Sequence, residues 1–375
     1  MKIVADDKIP FLRGALEPFA EVVYFPGKKI NKEIIMDADA LLIRTRTKCS
    51  ESLLEGSKVS FIGTATIGFD HIDTVYCDKH QIKWTSSPGC NSSSVQQYIT
   101  AALLKLARYH NYDLNNKTIG IVGVGNVGSK VEKNARILGM NILLNDPPRE
   151  RVEGKKNFVS LDEILYESEI VTVHVPLQFV SDDKTYHLFN DLNFNKMKKG
   201  AWFINSSRGE VTDSTALKET LASGKLSGAV IDVWENEPDI DAELLAGTFI
   251  ATPHIAGYST DGKANGTAMV VNALCRHFNL PPEGWYPSDI PVPPGTNIKI
   301  DGNGKSDNDI IGEAVFKTYN IEDDDRKLRI NPSEFEVQRG DYPLRREFTS
   351  FTVDLKGGNK KVRKKLKELG FGVKT

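Results

Sequence analysis

The sequence predicts an α/β protein with two doubly wound parallel sheets and a small α+β segment at the C-terminal end. Three observations carry this expectation. Short apolar runs of strand length alternate with stretches of helical periodicity over residues 1 to 280. That is the pattern of a parallel sheet covered by helices on both faces. One of these alternations, over residues 117 to 146, is a complete strand–turn–helix–strand unit with glycines at 123, 125 and 128. Beyond residue 280 the composition turns to proline and glycine, and a smaller set of elements follows. The length agrees: 375 residues exceed what a single core organises, and roughly two to three domains are expected.

Taken in order, "KIVA" (2–5) is a first strand and "VVYFPG" (22–27) a second, stopped by Pro-Gly. "ALLI" (40–43) is a third, followed by the basic loop "RTRTK". "VSFIG" (59–63) repeats the pattern and runs into the Gly/Thr-rich loop "TATIGFD". The stretch "NSSSVQQYITAALLKLARYH" (91–110) opens with serines able to cap a helix, then places Val95, Ile99, Ala102, Leu103 and Leu106 at helical spacing. Ile119 to Val122 is the next strand. The following helix turns Val127, Val131, Ala135 and Leu138 inward, and Ile142 to Leu144 is a strand that ends at Asp146.

Gly123, Gly125 and Gly128 form G-x-G-x-x-G between that strand and that helix. Glycine triplets are common in loops, but here the flanking elements and the acidic residue 21 positions (146 − 125) beyond the second glycine complete a dinucleotide-binding context. Gly123 permits the turn, Gly125 lets the backbone approach a pyrophosphate, and Gly128 lets helix and strand pack closely. The helix N-terminus offers N–H groups to the phosphates. Asp146 suits ribose hydroxyls and repels a 2′-phosphate, which favours NAD over NADP; Arg149 and Arg151 nearby leave NADP open, and an S-adenosylmethionine site has the same turn.

Four further strand signals end in polar or charged loops: "EIVTVHVPL", "GAWFINSSRGE", "GAVIDVWENEP" and "TFIATPHIAG". The carboxyl ends of parallel strands form the ligand crevice, so Arg208, Glu237 and His254 are expected there. Arginine is a two-pronged donor for a carboxylate or a polarised carbonyl. A carboxylate bonded to an imidazole fixes its tautomer and stabilises the imidazolium. His254 is then a general acid/base, as alcohol oxidation beside a nicotinamide requires.

Composition narrows the function classes. The chain is 40% hydrophobic and 26% charged, with 48 basic and 50 acidic residues and a net charge of −2. No global positive field is present to drive nucleic-acid binding. Cys49, Cys77, Cys90 and Cys275 are scattered, form no C-x-x-C pair and fit no zinc spacing; no metal is expected, and reduced thiols in a cytoplasmic protein are the expectation. The start "MKIVADDKIPF" has no signal-peptide apolar region, and no apolar run of about 18 residues predicts a membrane span.

The blocks "GIVGVGNVG", "INSSRGEVTDSTAL", "DVWENEP" and "TPHIAGYS", with the loop "GTATIGFDHID", resemble the signatures of the D-isomer-specific 2-hydroxyacid dehydrogenases over about residues 1 to 280. The serine of "INSSRG" stands where a small apolar residue is often found in that family. The resemblance implies a substrate domain (1–93 and 257–284), a Rossmann-type NAD-binding domain (94–256) and a C-terminal dimerisation domain (285–375), hence a homodimer. It implies catalytic roles for Arg208, Glu237 and His254. NAD contacts are implied from Gly123, Gly125, Asn126, Val127, Gly128, Asp146, Val175, Ser206, Ser207, Arg208, Asp232 and Gly257. Further details, "RTRTK", "LNDPPR" and "HIAGYSTDGKANGT" with the long tail, are similar to a branch of the family that handles a small phosphorylated 2-hydroxy acid. They point to Thr45, Thr66 and Tyr258 for direct substrate contact, and to Arg44, Arg46, Arg346 and its neighbour Arg345 for the phosphate. A phosphoglycerate- or glyoxylate-type dehydrogenase and an NAD(H)-sensing corepressor remain alternatives at this level.

The tail itself reads as a linker, "EGWYPSDIPVPPG", then strand "NIKIDG", helix "NDIIGEAVFKTYN", strand "SFTVDL" and helix "NKKVRKKLKELG". Val362, Leu366 and Leu369 give the last helix one apolar stripe, and its basic residues a solvated face. With so narrow a stripe, the strands of the tail are expected to bury their second face against a partner.

Overall fold

The computed structural model describes residues 1–111, 113–281 and 283–374; Tyr112, Pro282 and Thr375 lie outside them. The chain divides into two compact units, Met1–Asn91 with Ser259–Pro291, and Ser92–Tyr258 with Val292–Thr375.

The first unit is a five-stranded parallel sheet of β1 (Lys2–Asp6), β2 (Glu21–Phe25), β3 (Ala40–Ile43), β4 (Phe61–Thr64) and β5 (Lys83–Thr85), in the order β2-β1-β3-β4-β5. β3 and β4 are buried along their whole length, which is why they read as unbroken apolar runs rather than alternating ones. One face packs on Ile30, Ile35, Leu53, Leu54 and Tyr76. The other is closed by Val270, Val271, Leu274 and Cys275 of the helix Thr260–Phe278. The Ser259 hydroxyl caps that helix by accepting from Gly262 N at 2.8 Å.

The second unit carries a six-stranded parallel sheet: β6 (Thr118–Val122), β7 (Asn141–Asn145), β8 (Ile170–Val173), β9 (Ala201–Asn205), β10 (Leu226–Ile231) and β11 (Ile250–Ala251), in the order β11-β10-β9-β8-β6-β7. The tail adds a three-stranded parallel sheet, β12 (Asn297–Asp301), β13 (Thr352–Lys356) and β14 (Gly372–Lys374). The helix Ser92–His110 lies between these two bodies. Thirteen of its nineteen residues are buried, more than one face can account for, because the sheet side and the tail both cover it. Ile298, Ile300, Ile310, Val315, Val353, Leu355 and Leu366 join the same apolar cluster as Val95, Ile99, Leu103 and Leu106.

The segment expected as a separate domain from residue 285 therefore contributes its residues from Val292 onward to the unit that carries the glycine turn. Its strands alternate, Ile298 and Ile300 buried between exposed Asn297, Lys299 and Asp301. The outer face is polar, so the expectation that a second apolar face needs burying does not hold. Two helices are absent from the sequence reading, Ile321–Ile330 and Phe335–Gly340, and the first binds the edge of the six-stranded sheet. Asp325 Oδ1 accepts from Ala251 N at 2.7 Å, and the Arg329 guanidinium donates to Leu245 O at 2.7 Å and Thr248 O at 2.8 Å. β11 is a two-residue edge strand; the Asp325 bond satisfies an N–H that an open edge leaves unpaired, and the Arg329 bonds satisfy carbonyls at the end of the helix Ala242–Gly247 that precedes it.

Candidate active site

The glycine turn is built for close approach. Gly123 has φ +87°, and a Cβ there would come 2.8 Å from the His174 carbonyl and 2.9 Å from Val175. A Cβ on Gly128 would meet the Gly123 carbonyl oxygen at 2.0 Å. Gly125 is exposed and its Cβ would meet nothing within 4 Å, so open space lies where a pyrophosphate would sit. Asn126 beside it is exposed and Val127 half-buried at the N-terminus of the helix Gly128–Ile137.

Asp146, at the end of β7, braces this turn: Oδ2 accepts from Val124 N at 2.8 Å and Oδ1 from Arg149 N at 3.0 Å. Arg149 returns a bond to Val124 O at 2.6 Å and pairs with Glu153. Arg151 pairs with Asp183. Both arginines thus have acidic partners. Asp183 and Arg151 hold each other at their charged forms through that hydrogen bond. One further buried polar atom lacks a partner at the carboxyl end of β9, the Ser206 hydroxyl. The open cradle at Gly125, the close packing at Gly123 and Gly128 and this orphaned hydroxyl fit a dinucleotide.

Asn205, the last residue of β9, shapes the loop that carries Arg208. Its Oδ1 accepts from the Ser207 N–H and hydroxyl at 3.0 and 2.9 Å, and its Nδ2 donates to Arg208 O at 2.9 Å and Thr212 Oγ1 at 3.0 Å. Arg208 is half-buried and donates to its neighbour Ser207 O at 2.8 Å. A Cβ on Gly209 would collide with the Trp234 backbone at 2.1 Å, so the Arg-Gly pair is set by the closeness of the next strand's loop.

His254 and Glu237 come together. His254 Nδ1 lies 2.8 Å from Glu237 Oε2, and Glu237 Oε1 accepts from Trp234 N at 3.0 Å. Burial pushes the Glu237 carboxyl up, but the His254 hydrogen bond and charge, the Trp234 N–H and Arg339 outweigh it and hold it below the ordinary glutamate range. His254 sits at φ +55°, in the left-handed region. Asp232 keeps it there. His254 N donates to Asp232 O at 2.7 Å, and the Asp232 carboxylate accepts from Ile255 N, Ala256 N and the Thr252 hydroxyl at 2.8, 2.9 and 2.7 Å. Tyr98 and Trp234 complete the brace through Thr252. Asp232 is 1% exposed, and burial raises its carboxyl above the usual range. Expected as a cofactor ligand, its side chain is spent on shaping the loop.

Arg345 is the second departure. It was expected at a phosphate, yet it is buried. Its Nη1 donates to Ile255 O at 3.2 Å and its Nη2 to Ala256 O at 2.5 Å and Ser94 O at 3.0 Å, and it lies over the Tyr319 ring at 4.4 Å. It clamps the His254 loop from the tail side, and its burial gives a phosphate no access to it. Arg346 is half-buried, its carbonyl accepting from Gln97 Nε2 at 3.0 Å. Gly257 and Tyr258 are half-buried at the end of the same loop, and the Tyr258 ring meets Tyr342 edge-on at 5.9 Å.

In the first unit, Arg44, Thr45 and Arg46 follow β3, and Thr66 follows β4. The two strands pair Ile43 with Thr64, so both loops rise from the same end of that sheet. Thr45 and Arg46 are exposed; Arg44 Nη1 reaches Lys8 O at 3.3 Å. Thr66 Oγ1 bonds Thr64 Oγ1 at 2.7 Å and Gly68 O at 3.0 Å. His71 Nε2, 3.0 Å from Thr64 Oγ1, escaped the sequence reading; its own motif, "FDHID", was the only signal for it.

Residues 91–256 match the profile of the D-isomer specific 2-hydroxyacid dehydrogenase NAD binding domain, and residues 290–370 a domain of unknown function. Over 354 residues the chain is 52% identical to the erythronate-4-phosphate dehydrogenase of Bacteroides fragilis strain ATCC 25285, covering 94% of this chain and 99% of that protein. The erythronate-4-phosphate dehydrogenase of Bacteroides thetaiotaomicron is 50% identical with the same coverage. Among solved structures, D-lactate dehydrogenase from Aquifex aeolicus, complexed with NAD and lactic acid, superposes with a TM-score of 0.61 at 27% identity. It accounts for 74% of this chain and 95% of its own. The enzyme core is thus shared, and part of this chain has no counterpart in that structure.

Proposed function

The chain belongs to the D-isomer specific 2-hydroxyacid dehydrogenase family, with the erythronate-4-phosphate dehydrogenases as its relatives over nearly the full length, and from that premise we propose that it oxidises 4-phospho-D-erythronate. The product is (3R)-3-hydroxy-2-oxo-4-phosphooxybutanoate, a step towards pyridoxal 5′-phosphate. It is an NAD-dependent oxidoreductase.

The observation that carries the reading is the 2.8 Å bond between His254 Nδ1 and Glu237 Oε2. With Nδ1–H held by the carboxylate, the Nε2 lone pair is left to take the C2 hydroxyl proton, and the imidazolium that forms is stabilised by Glu237. NAD supplies the acceptor for the hydride that leaves C2. Arg208 holds the substrate carboxylate and the oxygen that becomes a carbonyl. Gly123 to Gly128 with Asp146 hold the dinucleotide, and Val175, Ser206, Ser207 and Gly257 line its place. Thr45, Thr66 and Tyr258 contact the substrate, with Arg44, Arg46 and Arg346 for its phosphate. The tail is read as a dimerisation segment and the enzyme as a cytoplasmic homodimer. No helix of the described residues is long and apolar enough to cross a membrane. Sedimentation at micromolar concentration tests the dimer.

NADH formation from 4-phosphoerythronate, measured against 3-phosphoglycerate and glycerate, tests the substrate. The expected result is a kcat/KM for 4-phosphoerythronate at least a hundredfold above the others. Equal or greater activity on 3-phosphoglycerate would overturn the assignment.

A further inference from the structure

Arg339, in the tail helix Phe335–Gly340, is 4.0 Å from Glu237 by its Nη1, on the oxygen, Oε2, that bonds His254. We infer that Arg339 is a positioning residue for the acid/base pair: its cation shares Glu237 with His254, loosens the carboxylate's hold on the imidazolium, and so favours the proton-accepting imidazole that alcohol oxidation needs. This rests on the reading of His254 and Glu237 as that pair.

Three features separate this contact from a surface ion pair. First, the two side chains are only 20% and 18% exposed, so solvent screens them little. Second, 4.0 Å is too long for a hydrogen bond. Arg339 therefore acts through its charge and leaves the His254–Glu237 bond intact. Third, the guanidinium is held in place. Glu336 pairs with Nη1 at 2.9 Å, and the Tyr258 and Phe335 rings lie 5.8 and 5.7 Å from its centre. Its Nε is buried without a partner, a cost that a residue with no role at this position would be expected to avoid.

The charges that face the pair come from the loop after β10 and from the tail helix, and the Tyr258 side chain, just after His254, hydrogen-bonds Arg339. Glu237 and the buried Asp232 both favour the imidazolium, the second as a carboxylate whose charge interacts with His254. Arg339 is the cation set against them, itself offset by Glu336 from the tail side. Of these charges the arginine is the one that disfavours an imidazolium, which biases the pair towards oxidation.

The test is the pH dependence of kcat/KM in both directions. Arg339→Gln is expected to move the acid limb of oxidation, and the alkaline limb of reduction, to higher pH by about half a unit to one unit. Arg339→Lys, which keeps the charge, is expected to restore most of that shift. Glu336→Gln, on the surface side, is expected to move both limbs slightly the other way. Partial unfolding lowers the height of such a profile and leaves its position unchanged. Unmoved limbs in Arg339→Gln, with moved limbs in Glu237→Gln, would overturn the inference and leave the acid/base reading standing. A lysine variant shifted as far as the glutamine one would overturn it too. So would a KM for the phosphorylated substrate raised tenfold with the limbs in place, since Arg339 would then be a substrate ligand. Unmoved limbs in Glu237→Gln as well would bring down the acid/base reading itself.

Discussion

His254 and His187 look alike at short range. Both sit in the second unit at positive φ, +55° and +49°. Both bond a glutamate of the same short stretch, His254 to Glu237 at 2.8 Å and His187 to Glu235 at 2.7 Å. Their side chains are 30% and 28% exposed. The difference lies in the second ring nitrogen. His187 Nδ1 faces Asp213 at 3.6 Å, and Glu235 also accepts from Ser214 N at 2.8 Å. That histidine ties three loops together, and both of its nitrogens face carboxylates, one in a hydrogen bond and one at ion-pair distance. His254 commits Nδ1 alone, and among the described residues Nε2 makes no hydrogen bond. A histidine–carboxylate pair is thus a common structural pin, and a second nitrogen with no carboxylate facing it marks the one fit for proton transfer.

The tail widens the contrast. Asp325 grips the edge strand just before His254, Arg329 the carbonyls of Leu245 and Thr248 ahead of that strand, Arg345 the two carbonyls just after His254, and Arg339 faces its glutamate. His187 has Glu235, Asp213 and the backbone of Glu210 instead. The largest effect should therefore come from ending the chain before Ile290. The apolar surface of the helix Ser92–His110 would be uncovered and the His254 loop released, and we expect no measurable turnover and a largely aggregated product in sedimentation. A soluble truncated chain with near wild-type kcat would show that the loop holds itself.

Next comes His254→Ala. Loss of positioned acid/base catalysis is expected to lower kcat by roughly 10²–10⁴-fold, with NADH binding by fluorescence nearly unchanged. Turnover within tenfold of wild type would mean that the free Nε2 has been given the wrong task.

Much of this was legible in the sequence, for a physical reason. The glycine turn is local: its three glycines and Asp146 meet within one strand–turn–helix–strand unit, so spacing alone reports their geometry. Arg208, Glu237 and His254 are far apart in the chain, but each follows an apolar strand, and parallel topology gathers strand ends. What stayed hidden depends on partners with no side-chain signature. Arg345 binds backbone carbonyls, and nothing in "PLRREF" says that those carbonyls lie 90 residues away. Asp232 spends its carboxylate on backbone N–H groups in the same way. The helix Ile321–Ile330, "IEDDDRKLRI", buries only Ile321, Asp324 and Leu328, too sparse a stripe to stand out from a charged loop.

Glu237→Gln sharpens the comparison from the other side of the bond. The amide cannot stabilise the imidazolium as a carboxylate does, so the acid limb of oxidation should move to lower pH, with kcat lowered about tenfold, or roughly 1.4 kcal/mol. Stability should follow the sign of the carboxyl's shift. Its folded value is depressed, so its contribution is present above the unfolded glutamate value of about 4.3 and is lost as pH falls through the folded one. The glutamine variant should therefore lose less stability than wild type on acidification below about pH 4.3. Parallel acid-denaturation curves would remove Glu237 from the pair.

The smallest effect is expected at His187, and it is the sharpest test of the contrast. His187→Ala leaves Glu235 Oε1 without its imidazole, but Oε2 keeps the Ser214 N–H, and the carboxylate is 20% exposed, so water replaces part of the lost bond. The Tyr186 ring, stacked on His187 at 4.1 Å, loses its partner as well. Together these should destabilise the fold by about 1–2 kcal/mol, a few degrees in melting temperature for a chain of this size. Turnover should stay within about threefold of wild type at 25 °C, because both nitrogens of His187 face carboxylates of the protein instead of a substrate. Should kcat fall a hundredfold while the melting temperature and NADH binding hold, His187 would have to be counted in the chemistry, and the carboxylate facing its second nitrogen would no longer tell the two histidines apart.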